Sequence, residues 1–327
     1  MARLVGDRGF PTDSTPPTQV AGPTPAPTAP ALDPGRARRV LLVLAGIALM
    51  VTYVETMVVP AQPRFVIFFN NAPISSISWI LSAYLLVGTV VTPIAGKLGD
   101  IYGKKRALEV VLIIYAIAVS VAGFTPNIGG AIGWDRSQQL YLFIGVRAVQ
   151  GIGMGMFPLA FAMIRDEFPP ERVGPAQGIV SAMFAAGAAA GLLGGAYVTQ
   201  NFGWQLTYHT VIPVAILMVI LTFLILRESR IRLDNPLDIP GAAFLGLALT
   251  FLLLGLTQGP TWGWTNWTPA TVAGLPLSSP LFFVFALIFV VAFGVWEPRS
   301  PNPIVSFARL KERNILACNI AGVFVGT

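Results

Sequence analysis

The sequence predicts an all-α, polytopic membrane protein. Three observations lead there. Of 327 residues, 54% are hydrophobic and only 11% charged, where an average soluble domain carries about 25% charged residues. The mean hydropathy is +0.71. Two stretches, 173–226 and 239–296, contain no Asp, Glu, Lys or Arg. A bilayer-spanning helix needs about 20 apolar residues, so each stretch holds two spans and a turn. A chain this poor in charge cannot coat a globule, which excludes soluble enzymes, nucleic-acid binders and secreted disulfide scaffolds. The net charge of +6 and pI near 9.8 therefore read as topological anchoring, with no nucleic-acid partner. One cysteine, Cys318, allows no internal disulfide, and with a single histidine, His209, it makes no metal-ligating set.

The elements follow in order. Residues 11–35 are rich in Pro, Thr and Ala without an apolar face, so 1–38 are expected to form a disordered or polyproline-II cytoplasmic tail. No apolar h-region precedes Arg36, so the segment is not read as a cleavable signal peptide, and the first span directs insertion. Eight hydrophobic segments then read as spans: 40–60, 77–95, 107–124, 140–164, 176–198, 207–226, 239–257 and 277–296. A ninth opens at Asn314 and stops after 14 residues, too short to cross alone.

Lysine and arginine set the orientation. With the N-terminus cytoplasmic, 16 of the 21 fall in inner loops, against only Arg64 and Arg136 outside. This predicts an integral protein of the plasma (inner) membrane. Trp79, Trp134, Trp204, Trp262, Trp264 and Trp267 fall at outer span ends, as an interfacial belt would. A binding role for the WGWTNW cluster is the alternative. His209, beside Trp204 and Tyr208, reads as interfacial, with a proton-carrying role as its alternative.

Two charges lie well within spans, Glu55 in the first and Arg147 in the fourth. At roughly 1.5 Å per residue, both sit about 10 Å from the outer end of their spans. Buried membrane charges tend to face cavities and to pair. Glu55 is thus expected to bind and release a coupling proton under the influence of Arg147, with a structural ion pair as the alternative.

Between the second and third spans the chain reads Gly96-Lys97-Leu98-Gly99-Asp100-Ile101-Tyr102-Gly103-Lys104-Lys105-Arg106. Physically this is a tight turn in which Gly96 and Gly103 permit close approach and Asp100 faces a basic cluster. Its spacing resembles the signature loop of the major facilitator superfamily, with Ile101 standing where that family has a base. The resemblance implies that Asp100 is a gating acid and Lys104, Lys105 and Arg106 its partners.

The fourth span offers Arg147-Ala148-Val149-Gln150-Gly151-Ile152-Gly153, similar to the family's R-x-x-Q-G-x-G motif. That motif's arginine is linked to proton transfer, which adds Gln150 to the coupling candidates. In the fifth span Gly178, Gly187, Gly191, Gly194 and Gly195 resemble the family's antiporter motif, with Leu192 in place of its proline. Ordinary small-residue packing explains these glycines equally well. The first helix resembles the family pattern at Thr56, Ala61 and Pro63, a register that sets Glu55 one residue past the acidic position.

Asp238-Ile239-Pro240-Gly241 and the two helices that follow resemble the pair inserted between six-helix bundles in the fourteen-helix drug:proton antiporter branch. Residues 196–203 echo 96–103 about a hundred residues on, as inverted three-helix repeats predict.

The expected architecture is a major-facilitator six-helix bundle at 39–228, built as 3+3 inverted repeats. Two linker helices at 229–300 follow, then a cytoplasmic loop and the start of a ninth helix at 301–327. The resemblance implies a secondary transporter that exports a small amphipathic compound in exchange for protons, with no cofactor. The other reading is a non-transporting fragment or a half-transporter that needs a missing second bundle or subunit. Membrane-embedded enzyme chemistry lacks residues: there is no carboxylate pair for metal-phosphate work and no nucleophile–His–acid arrangement.

Overall fold

The computed structural model describes residues 33–229, 236–265, 270–272, 275–305, 307–310 and 312–326. The expected tail up to residue 32, Arg230, Arg232, Trp267 and Lys311 lie outside the described residues. Among the described residues, eight helical stretches are long and apolar enough to cross a membrane, matching the eight spans read from hydropathy.

Helix α1 (Pro34–Thr56) starts inside the segment read as tail, because its first turn is well provided for. The Asp33 carboxylate accepts the Arg36 N–H at 3.2 Å, and Pro34 occupies the first helical position, where no donor is needed. A short helix, α2 (Gln62–Phe68), follows, then α3 (Ile74–Tyr102) and α4 (Lys104–Ile132). Each of the latter two has 29 residues, about 44 Å of helix, so both outrun the hydrocarbon layer and the spans expected for them.

The fourth span is not one helix. It runs as α5 (Arg136–Gln150), a 3₁₀ segment at Gly151–Gly155, and α6 (Met156–Glu167). Three glycines in five residues lower the cost of tighter winding inside the span expected over 140–164. Helix α7 (Pro170–Phe202), α8 (Trp204–Ile225) and α9 (Ile239–Trp262) follow. Strands β1 (Ala270–Val272) and β2 (Leu275–Leu277) form an antiparallel hairpin, Ala270 opposite Leu277. This short pair lies between two spans and leaves the chain in the all-α class. Helix α10 (Ser279–Trp296), the single turn α11 (Phe307–Leu310) and α12 (Arg313–Gly326) complete the described residues.

Pairing of the first six spans has an internal symmetry. Helix α1 lies against α7, α3 against the broken α5–α6 span, and α4 against α8. Exchanging the first three spans for the second three returns the same pairs, which is the 3+3 arrangement. The joints repeat as well. Gly103 alone links α3 to α4, at φ 107° and ψ 136°, and Gly203 alone links α7 to α8, at φ 92° and ψ 154°. Both conformations are open to glycine and strained for other residues. The echo between 96–103 and 196–203 is thus one hinge built twice.

Helix α1 is the core of the bundle, with Val40, Leu44, Ile47, Val51 and Val54 all buried. At one end of the bundle α2 tucks Phe65 and Phe69 against Phe143 and Trp204, with ring centroids 5.2–6.3 Å apart. Trp204 is 3% exposed, so it belongs to this aromatic core rather than to an interfacial belt. Burial of such rings outweighs the indole's preference for the headgroup layer, since each removes a large apolar area from solvent. His209 lies over the Phe124 ring at 4.7 Å.

Helices α9 and α10 form a pair that stands along α3. Gly246 brings α9 close, since a Cβ there would lie 3.1 Å from the Val90 methyl. The pair is tied down at its foot. Asp238 caps α9 by accepting the Gly241 N–H at 3.0 Å, and the Trp296 indole of α10 donates to both its oxygens at 3.1 Å. The Lys97 ammonium of α3 donates to the Pro303 carbonyl at 3.1 Å.

Candidate functional site

Arg147 is fully buried. A charge in that position costs several kcal/mol unless its environment answers it. Its Nε donates to the Ile80 carbonyl at 3.3 Å and its Nη1 to the Gln150 Oε1 at 2.6 Å. The guanidinium carbon sits 4.5 Å above the Tyr84 ring centre, within cation–π range. Gln150 in turn donates to the Ala118 carbonyl of α4 at 3.1 Å. The arginine motif therefore spans three helices. Its glycines serve the same purpose: a Cβ on Gly151 would strike the Tyr84 carbonyl, and one on Gly153 would strike the Tyr115 ring.

Glu55 and Arg147 share a neighbourhood but form no contact ion pair. The Glu55 carboxylate lies within electrostatic reach of the arginine, whose Nε and Nη1 donate to a carbonyl and an amide. Glu55 borders a cavity of about 410 Å³. Phe157, Phe161 and Phe184 supply its aromatic wall, with Thr92 and Ser181 as further polar groups. A larger groove of about 530 Å³ between α4 and α5 has Tyr141 as its sole titratable lining residue. The cavity at Glu55 is thus the place where an apolar wall meets a carboxylate.

The glycines of α7 form a seam against α1. Gly187 faces Thr52 and Leu49, and Gly191 faces Thr56 and Tyr53; a Cβ at either would strike a threonine Oγ1 and a backbone carbonyl. Gly195 lies against Met57, whose Cα would be 2.7 Å from such a Cβ. Gly194 meets the Tyr53 hydroxyl at 3.3 Å. Thr56 Oγ1 donates across the seam to the Ala188 carbonyl at 2.9 Å. Positions 187, 191 and 195 recur every four residues and so share one face. Gly178 has no atom within 4 Å of such a Cβ, so the fifth glycine of the motif takes no part.

The signature segment differs from a loop. Residues 96–102 belong to α3 and 104–106 to α4, leaving Gly103 as the whole turn. Gly96 has ordinary room, with Pro158 at 3.8 Å. Gly99 is the close approach, because a Cβ there would strike Leu159. Asp100 pairs with Lys104 at 3.1 Å, across the Gly103 turn. Lys104 is itself buried and pairs more closely with Asp166 at 2.8 Å, and Ser229 Oγ donates to the same Asp166 oxygen at 2.6 Å. Lys105 turns to Glu109 at 3.3 Å and to the Phe223 carbonyl at 3.0 Å. Arg106 engages through its backbone: the Lys105 and Arg106 N–H groups donate to the Glu228 carboxylate at 3.1 and 3.2 Å. Glu228 thereby satisfies the free donors that open α4. Expected as Asp100 surrounded by three bases, the cluster is instead one buried lysine between two acids. Nearby, Arg36 of α1 reaches Glu167 at 3.6 Å.

At the foot of α9, burial pushes the Asp238 carboxyl up. Donors from Ser300, Gly241 and Trp296, with the Lys97 charge, outweigh it and hold the group below the usual carboxylate range.

Residues 44–327 match the family model described as Major Facilitator Superfamily.

The chain belongs to the Major Facilitator Superfamily. It is 31% identical over 255 residues to Multidrug resistance protein 3 of Bacillus subtilis (strain 168), covering 76% of this chain and 46% of that protein. To the Tetracenomycin C resistance and export protein of Streptomyces glaucescens it is 29% identical over 279 residues, covering 85% and 48%. The chain spans about half the length of the curated relatives it matches. Its fold is shared with the inward open xylose transporter XylE from E. coli, at TM-score 0.50 and 14% identity, covering 80% of this chain and 69% of that one. The relatives are transport and resistance proteins, not enzymes, and the chain is an integral membrane protein.

As a member of the Major Facilitator Superfamily, the chain carries its signature residues in a setting that motif spacing does not describe. Asp166, Glu228 and Tyr84 went unread in the sequence. Asp166 and Glu228 each directly follow an arginine at the end of a span, and that placement was the available sign. Tyr84 had none, being one apolar-span tyrosine among several.

Proposed function

We propose that the protein is a proton-coupled exporter of small amphipathic compounds. The observation that carries this reading is Glu55, a carboxylate on the wall of a mostly apolar cavity, near a buried arginine with which it forms no ion pair. A carboxylate held this way can exchange a proton without first breaking a salt bridge. The apolar wall suits cargo with a hydrophobic body, and the names of the matched relatives support resistance and export as the setting. Arg147 and Gln150 act as the fixed partner of Glu55, with the proton as coupling ion and no cofactor.

In this reading Gly103, Asp100 and Lys104 form the gating joint, Lys105 and Arg106 present the start of α4 to Glu228, and Gly99 lets α6 lie close, with Gly96 one turn before it. The α7 glycines, with Gly178 excepted, keep α1 and its Glu55 in register. The N-terminus lies in the cytoplasm and the membrane is the plasma (inner) membrane, supported by the gathering of Arg36, Lys97, Lys104 and Lys105 at one end of the bundle. Residues 39–228 are the first transport bundle and α9–α10 an added pair. A second bundle, within the same protein or from another subunit, completes the cavity.

The test is Glu55→Gln in the full-length protein, reconstituted in liposomes with an imposed pH gradient. Ethidium export should lose its dependence on the gradient while dye binding persists. Gradient-driven export at the wild-type rate would sink the proposal.

A further inference from the structure

A buried guanidinium needs something to fix its direction, and here that support comes from α3. Ile80 and Tyr84 lie one helical turn apart. The first supplies a carbonyl to Arg147 Nε at 3.3 Å and the second an aromatic face 4.5 Å from Cζ. Tyr84 cannot retreat, because its carbonyl occupies the space that a Gly151 side chain would take. It is fully buried, and its hydroxyl has no hydrogen-bond partner. The ring and not the hydroxyl therefore makes the contact with Arg147. Tyr84 also lies within electrostatic reach of both Glu55 and Arg147, the two groups that form no ion pair with each other.

We propose that Tyr84 is the positioning residue for Arg147: its ring holds the guanidinium in the orientation from which the charge acts on Glu55. This rests on the reading of Glu55 as the proton carrier. A cation above an aromatic face is held by the ring quadrupole, and the hold strengthens where water is excluded. With the ring removed the side chain keeps its bonds to Ile80 and Gln150 and the nearby Tyr208 hydroxyl, but loses the flat face that sets the plane of the guanidinium. The other titratable groups here are Tyr53 of α1, Tyr115 of α4 and Tyr208 of α8, each buried or half-buried. Helix α7, packed on α1, brings no charged side chain beyond residue 172. Among the described residues, Tyr84 is the one ring above which the Arg147 guanidinium lies.

The experiment measures ethidium export by the full-length protein in liposomes from acid to alkaline pH. The variants are Tyr84→Phe, Tyr84→Leu, Arg147→Lys and Glu55→Gln. Tyr84→Phe keeps the ring and should keep the wild-type pH midpoint. Tyr84→Leu should displace that midpoint by about half a unit or more. Arg147→Lys keeps the charge but loses the planar stacking group, and it should displace the midpoint with Tyr84 intact. That serves if Tyr84→Leu does not fold. A Tyr84→Leu protein slower at every pH with an unmoved midpoint overturns the proposal, as does Tyr84→Phe behaving like Tyr84→Leu. If Glu55→Gln abolishes the pH dependence and Tyr84→Leu does not move it, only the role of Tyr84 falls. If Glu55→Gln retains the wild-type profile, the proton-carrier reading falls instead.

Discussion

Glu228 occupies the space that a side chain on Gly103 would need. A Cβ at Gly103 would lie 2.5 Å from the Glu228 carboxyl carbon, and the same carboxylate accepts the Lys105 and Arg106 N–H groups. Turn and cap are thus a single device. Gly103→Ala combines backbone strain at φ 107°, about 1–3 kcal/mol, with displacement of the cap. The midpoint of heat-induced loss of the monodisperse peak should fall clearly below wild type. An unchanged midpoint would show that the joint tolerates a side chain.

The α1–α7 seam separates the motif glycines into two groups. Gly187→Ala and Gly191→Ala push a methyl into a threonine hydroxyl and a backbone carbonyl, an overpacking cost of about 1–3 kcal/mol each. Gly178→Ala meets open space and should stay within about 0.5 kcal/mol of wild type. Equal losses at all three positions would contradict the seam.

Lys104 and Lys105 are adjacent in sequence and differ in burial. The Lys104 side chain is 2% exposed and its partner Asp166 8%, so Lys104→Ala strands a buried carboxylate at a cost of about 3–5 kcal/mol. Lys105 and Glu109 lie nearer the surface, and Lys105→Ala should cost no more than about 1 kcal/mol. Thermal stability of the two purified variants checks the order, and Asp166→Asn in the Lys104→Ala background should recover part of the loss.

Asp238 ties the added helices to the bundle in a pH-dependent way. Its folded-state pKa lies below the unfolded value, so folding releases its proton more readily. The stabilisation is fully present above the ordinary aspartate range, about 3.9, and is lost as pH falls through the lower folded value. Asp238→Asn should reduce thermal stability near neutral pH and shrink its gap from wild type in acid. A gap that is constant with pH would mean that the carboxylate charge plays no part.

Reading the chain from its sequence worked best where the signal was coarse. A span is some twenty residues of apolar pattern, so all eight were legible from hydropathy alone, and Arg147 was conspicuous as a charge that a membrane tolerates only for a reason. The 3₁₀ break at Gly151–Gly155 was not legible, since a glycine run permits tight winding without requiring it. Trp204 was misplaced because its position at a span end is shared by belt and core tryptophans; only the arrival of α2 with Phe65 and Phe69 decides between them. In the signature segment, motif spacing led to Asp100 and three bases, but which base is buried depends on α6 delivering Asp166 from sixty residues away. Gly99 and Gly96 look alike in sequence, and only Leu159 tells them apart.

The joints at Gly103 and Gly203 leave the bundle almost no slack. A connection one residue long cannot pay out chain, so α3 cannot slide along α4, nor α7 along α8; each pair can only pivot about its glycine. Two such pivots, one in each three-helix repeat, convert any push on one helix into a tilt of its neighbour. The bundle is therefore suited to pass on displacement as a lever does, with little lost to stretching.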